Sequence, residues 1–221
     1  MTAADIDRNQ GLMRIQAGGV ILEGNLLLPS TATGVVLFAH GSGRSRFSSR
    51  NRYVAGELRG AGVGTLLIDL LTAQEEQIDM RTTHLRFDID LLATRLIGTM
   101  EWLERESQTR TLKVGLFGAS TGGGAALVAA SRRPDRVAAV VSRGGRPDLA
   151  GPALPSVKAP TLLIVGGDDG PVIDMNREAY EKMTSVRRLE IVPGASHLFE
   201  EPGTLEQVAR LASDWFKEYL R

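Results

Sequence analysis

Residues 112–132, LKVGLFGASTGGGAALVAASR, decide the reading of this chain. Leu112 to Phe117 is an apolar run of strand type. Gly118-Ala119-Ser120-Thr121-Gly122 reads as a turn, and Gly123 to Ser131 carries the small residues of a closely packed helix. A serine at the apex of a strand-to-helix turn, in the pattern G-x-S-x-G, is a nucleophile elbow: the tight turn lifts the hydroxyl clear of a sheet and aims backbone N–H groups at the same point. The pattern needs small neighbours because a Cβ atom would clash there, and Gly118 and Gly122 supply them on both sides of Ser120.

Working outward, buried-strand runs at 34–39, 65–68, 137–141 and 161–165 alternate with helix-like segments. The segment from Ser48 to Leu58 can form a helix. From His84 to about Ser107 an amphipathic helix is expected, because Leu85, Ile89, Leu92, Leu96, Met100 and Leu103 recur at three- and four-residue steps. Pro171–Met183 and Thr204–Leu220 read as further helices, and Arg188–Val192 as a short strand. Residues 70–83 lack a clean period and read as a loop. Residues 12–28 are two extended runs split by Ala17-Gly18-Gly19, a hairpin signal. Repeated β-α units with apolar strands imply an α/β fold: a mostly parallel sheet, an antiparallel N-terminal edge hairpin, helices on both faces, and one domain over residues 1–221.

The composition narrows the functions available. Lysine plus arginine equals aspartate plus glutamate, 26 each, so no global field recruits nucleic acid or an acidic membrane. There is no cysteine, which removes disulfides and thiolate metal sites, and no metal or cofactor is expected. No stretch reaches the roughly 18 apolar residues of a membrane helix. The N-terminus lacks a basic start followed by an apolar run, so a cytoplasmic location is the expectation. The glycines around Ser120 do not form G-x-G-x-x-G, and no Lys-Ser or Lys-Thr follows them, which argues against a phosphate-cradling loop.

In a parallel sheet, ligands gather beyond the carboxyl ends of the strands. A serine there needs a base, and the base needs an orienting carboxylate. His197 lies after the last strand run, in Val192-Pro-Gly-Ala-Ser-His-Leu-Phe199, and Asp169 lies in Gly166-Gly-Asp-Asp-Gly-Pro-Val172. Asp168 competes with Asp169 and is equally near the strand end; the spacing from Gly166 favours Asp169. The chain order Ser120, Asp169, His197 is that of nucleophile, acid and base in α/β-hydrolases. One oxyanion donor is expected from the backbone N–H of Thr121. The second is expected from His40-Gly-Ser-Gly43, at the Ser42 N–H with Gly41 as the alternative. His40 is assigned to holding that loop, and His84 to an exposed first helical turn.

These motifs resemble the dienelactone hydrolase-like group of α/β-hydrolases, over essentially the whole chain. The carriers are His40-Gly-Ser-Gly43, Gly118-Ala-Ser-Thr-Gly122, Gly166-Gly-Asp-Asp-Gly-Pro-Val172 and Gly194-Ala-Ser-His-Leu-Phe199. Dienelactone hydrolases proper carry a cysteine where this chain has Ser120, so the resemblance implies a serine esterase acting on small soluble esters or lactones. An acyltransferase or perhydrolase with the same triad, or a non-catalytic binding protein, are the alternatives. The stretch from Ser142 to Ala159 contains Pro147, Pro152 and Pro155, leaves no room for a full helix, and implies little or no lid. Arg44, Arg46, Arg50 and Arg52 follow the oxyanion loop, and Arg143 and Arg146 follow a neighbouring strand. Of these, Arg44, Arg143 and Arg146 are candidates for binding a substrate carboxylate. The opposing expectation is that most are solvated or paired with Glu75, Glu76 and Asp79.

Overall fold

The computed structural model describes residues 11–41 and 45–221. The hairpin forms as the sequence indicates: β1 (Leu12–Ala17) pairs antiparallel with β2 (Val20–Leu27). Gly18 and Gly19 between them both have positive φ, 55° and 83°, the condition for a two-residue turn whose twist matches the strands. Then follow β3 (Gly34–Ala39), α1 (Ser49–Gly60), β4 (Gly64–Ile68), α2 (Ala73–Thr82), a 3₁₀ turn at Leu85–Phe87 and α3 (Ile89–Arg105). The second half runs β5 (Lys113–Ala119), α4 (Thr121–Arg132), β6 (Val137–Arg143), β7 (Thr161–Gly166), α5 (Gly170–Lys182), β8 (Arg187–Val192) and α6 (Thr204–Tyr219).

The eight strands form one sheet in the order β1-β2-β4-β3-β5-β6-β7-β8. Only β2 runs against its neighbours; β4, β3 and β5 to β8 are parallel. Strands β3, β4 and β7 are buried along their whole length, which is why they read as continuous apolar runs rather than alternations. One apolar layer, with Leu37, Leu66, Leu96 and Met100, lies under α3, α4 and α5. The other, with Phe38, Phe117, Leu58 and Phe216, lies under α1 and α6. Phe38 and Phe117 on the two central strands bring their ring centroids to 4.8 Å.

Two expectations change. Residues 73–82 are helical and not a loop, with the Thr72 hydroxyl accepting from Glu75 N–H and the Glu75 carboxylate accepting from Thr72 N–H. This capping box replaces the apolar stripe the helix lacks, since Asp79 is its only buried residue. The next helix starts at Ile89 rather than His84, because the Asp88 side chain caps it by accepting from Leu91 N–H. The proline-rich stretch forms 3₁₀ turns over Pro147–Ser156, kinked at Gly151, and no α-helix. No helix among the described residues is long and apolar enough to cross a membrane.

Candidate active site

Ser120 stands between β5 and α4 with φ 52° and ψ −123°, a left-handed backbone that a non-glycine residue adopts at a cost of about 1–3 kcal/mol. The surrounding chain fixes it there. Ser120 N–H donates to the Arg143 carbonyl at the end of β6, and the Ser120 carbonyl accepts from Gly123 N–H and Arg146 N–H. A Cβ at Gly118 would come within 2.5 Å of the Gly122 carbonyl, and one at Gly122 within 2.7 Å of the His40 carbonyl. The two glycines of the motif are therefore demanded by close backbone contact between the Ser120 turn, helix α4 and the loop after β3. Helix α4 is buried from Thr121 to Ala130, which only a run of small residues allows.

Asp169 and His197 arrive from the ends of β7 and β8. Asp169 occupies the N-cap position of α5, yet its carboxylate makes no cap bond. Its Oδ2 instead lies 2.6 Å from His197 Nδ1, while neighbouring Asp168 is exposed. Asp169 is largely shielded from solvent, with 13% of its side chain exposed against 38% for His197. The loop before His197 is held by Glu201, whose Oε2 accepts from Ser196 N–H at 3.0 Å. That bond is the main cause of a Glu201 carboxyl pKa below its ordinary value.

Thr121 opens α4 directly after Ser120 and is buried. Ser42 and Arg44, the expected oxyanion donor and a candidate carboxylate binder, lie outside the described residues, which leaves His40 and Gly41 at the start of that loop. His40 Nδ1 lies 3.0 Å from the Gly41 carbonyl, and its Nε2 accepts from Leu70 N–H at 3.1 Å. A carbonyl can only accept and an amide N–H can only donate, so the ring is the neutral Nδ1–H tautomer. Desolvation is the largest influence on it and lowers its pKa, outweighing the Gly41 bond and the charges of Asp69 and Glu76.

The arginines divide. Arg143 is buried, packs against the Phe199 ring at 5.8 Å and shares a cavity with Ser120 and His197. Arg146 turns away and grips Asp148 through two bonds of 2.8 and 2.7 Å, which raises its pKa. Arg46 is a clamp, pairing with Asp69 and Glu23 and donating to Asn25, and Arg50 pairs with Glu200. Two of the three carboxylates expected to neutralise these arginines pair elsewhere: Glu75 holds Arg95, and Asp79 holds Arg86. Burial pushes the Asp79 carboxyl up, but the Arg86 hydrogen bonds and charge outweigh it and leave it below its ordinary value. His84 is exposed, as expected.

Two cavities meet at Gly41. One, of about 200 Å³, is lined by Ser120, His197, Arg143, Ser48, Asn51 and Leu198 among others. The other, of about 220 Å³, lies beyond Thr121 and is bounded by His40, Leu71, Leu92 and the α2 residues Glu76, Asp79 and Met80. Ser48, Asn51 and the α2 wall were not singled out by the sequence reading. Thr72-x-x-Glu75 is the one signal that could have located α2. No cluster of three or more His, Cys, Asp or Glu among the described residues is arranged to hold a metal.

The mostly parallel sheet with its reversed second strand and helices on both faces is that of the α/β-hydrolase class. Within that class the chain belongs to the dienelactone hydrolase family, whose model matches residues 23–220. A dienelactone hydrolase from Anabaena variabilis is 66% identical with a TM-score of 0.93, covering 95% of this chain and 97% of that one. Est1E from Butyrivibrio proteoclasticus shares the fold at 16% identity, with a TM-score of 0.78 over 95% of this chain and 99% of its own. A Mycobacterium tuberculosis protein bearing the provisional name phosphoribosyl transferase is 56% identical over 218 residues, 99% of this chain and 48% of the relative. The chain thus spans about half the length of the curated relatives it matches.

Proposed function

We propose that this protein is a serine-dependent carboxylic ester hydrolase acting on small esters or lactones, with Ser120 as nucleophile, His197 as base and Asp169 as the residue that orients His197. The observation that carries the reading is the 2.6 Å Asp169–His197 contact beside a cavity shared by His197 and the strained Ser120. In this mechanism Asp169 holds His197 with its Nδ1 protonated, leaving Nε2 to take the proton of Ser120 Oγ. Oγ attacks the ester carbonyl carbon, and the oxygen that gains charge is met by the Thr121 N–H and a donor from the loop after His40. The tetrahedral species expels the alcohol oxygen, which takes the proton from His197. Water, deprotonated by His197 in turn, adds to the acyl carbon, and as the C–O bond to Ser120 breaks His197 returns that proton to Ser120 Oγ, releasing the acid and restoring the enzyme. We assign a carboxylate on the substrate to Arg143, because it lines the same cavity as Ser120 and His197.

The transferase name borne by the Mycobacterium relatives covers a polypeptide about twice as long, so it does not fix the chemistry of the half matched here. The test is hydrolysis of p-nitrophenyl acetate by the wild type and Ser120→Ala. Turnover by the wild type and a loss of at least about 10³-fold in the variant support the reading. Equal turnover by both refutes it.

A further inference from the structure

We propose that Ser48 and Asn51 form a polar subsite for the alcohol arm of the substrate, selecting esters whose alcohol carries a neutral hydroxyl. This rests on the assignment of Ser120 and His197 given above. Ser48 and Asn51 are 8% and 3% exposed, and both line the cavity that holds Ser120 and His197. Ser48 Oγ and Asn51 Oδ1 are buried without a hydrogen-bond partner. A buried polar atom left unmatched costs about 1–3 kcal/mol, so two of them in one cavity wall are a standing cost to the fold. Helix capping does not account for them. Ser48 sits at the N-cap of α1, where a serine oxygen ordinarily accepts from the first turn, yet it makes no such bond.

The Asn51 amide oxygen calls for a donor and the Ser48 hydroxyl can accept or donate, while the buried Arg143 guanidinium in the same cavity disfavours a cationic group. A neutral O–H is what remains. The arm that carries it follows from the chemistry: His197 returns its proton to the leaving oxygen, so the alcohol arm lies in the cavity that contains His197. The acyl arm then extends past Thr121 toward α2. Both side chains are short, so turning either oxygen toward a ligand needs only one or two torsions.

The experiment compares 2-hydroxyethyl butyrate with n-propyl butyrate, which differ by a hydroxyl in place of a methyl group. The wild type is expected to favour the hydroxyethyl ester by about tenfold in kcat/KM, the worth of one or two neutral hydrogen bonds. In Ser48→Ala and in Asn51→Leu the ratio is expected to fall toward one. Because both esters are assayed on one preparation, the ratio is independent of how much of a variant is folded. A wild-type ratio near or below one overturns the subsite while leaving the esterase reading in place, as does a ratio unchanged in both variants. Hydrolysis of neither ester, nor of p-nitrophenyl acetate, overturns the two together.

Discussion

Asp169 Oδ2 and His197 Nδ1 stand 2.6 Å apart although they belong to loops after different strands, β7 and β8. The parallel pairing of those strands, Gly166 opposite Val192, brings the two loops to one end of the sheet. A close pair of this kind predicts separate fates for neighbouring aspartates. Asp169→Asn is expected to lower kcat by about 10⁴-fold, because an amide no longer fixes the productive tautomer. Asp168→Asn, at an exposed position, is expected to stay within about twofold of wild type. Steady-state kinetics on a p-nitrophenyl ester checks both, and equal losses would reassign the acid.

The backbone of Ser120 stores strain that glycine would release. Ser120→Gly should abolish turnover and raise the melting temperature by about 2–4 °C for each kcal/mol recovered. Ser120→Ala keeps a Cβ at φ 52° and should not gain this. Differential scanning calorimetry on the two inactive variants separates strain from loss of the hydroxyl.

At Gly122 the constraint is contact with the carbonyls of Ala39 and His40, which are main-chain atoms and cannot swing aside. Gly122→Ala is expected to cost about 3 kcal/mol, at the upper end for overpacking. Gly60→Ala, where a Cβ meets nothing within 4 Å, should be neutral or stabilising by about 0.5 kcal/mol. Urea unfolding of both variants gives the difference directly.

His40 links stability to pH. Its pKa in the folded protein lies below the ordinary value of 6.5, chiefly through desolvation. Below pH 6.5 the unfolded chain therefore takes up a proton that the folded ring does not. This contribution is fully present above pH 6.5 and is lost as the pH falls from there toward the folded pKa. Protonation at Nε2 would also set an N–H against the Leu70 N–H. Unfolding free energy measured between pH 7.5 and 5 should decline for the wild type and be flatter for His40→Asn, which removes the titrating group at this position.

Much of this architecture is legible in the chain itself because buried parallel strands write themselves as unbroken apolar runs. The proposed nucleophile and acid, Ser120 and Asp169, each follow such a run closely, whereas the proposed base, His197, follows β8, whose sequence RRLEIV mixes charged and apolar residues. Helix α2 was not legible for the opposite reason: it is held by the Thr72–Glu75 capping box, the Glu75–Arg95 pair and the Asp79–Arg86 pair, none of which leaves a hydrophobic period. The arginine-rich segments misled in a similar way. Charge near a strand end does not say whether a guanidinium turns to the cavity, as at Arg143, or back to a neighbour, as at Arg146. Ser48 and Asn51 form no motif, and their unmatched oxygens appear only once α1 is packed beside the elbow.

The most direct measurement is mass-spectrometric mapping of the adduct left by a fluorophosphonate probe on the wild type, His197→Ala and Ser120→Ala. The account predicts one adduct, on Ser120, in the wild type, slow labelling of the same residue in His197→Ala, and none in Ser120→Ala. Catalytically active wild-type protein that is labelled elsewhere, or not at all, would contradict it.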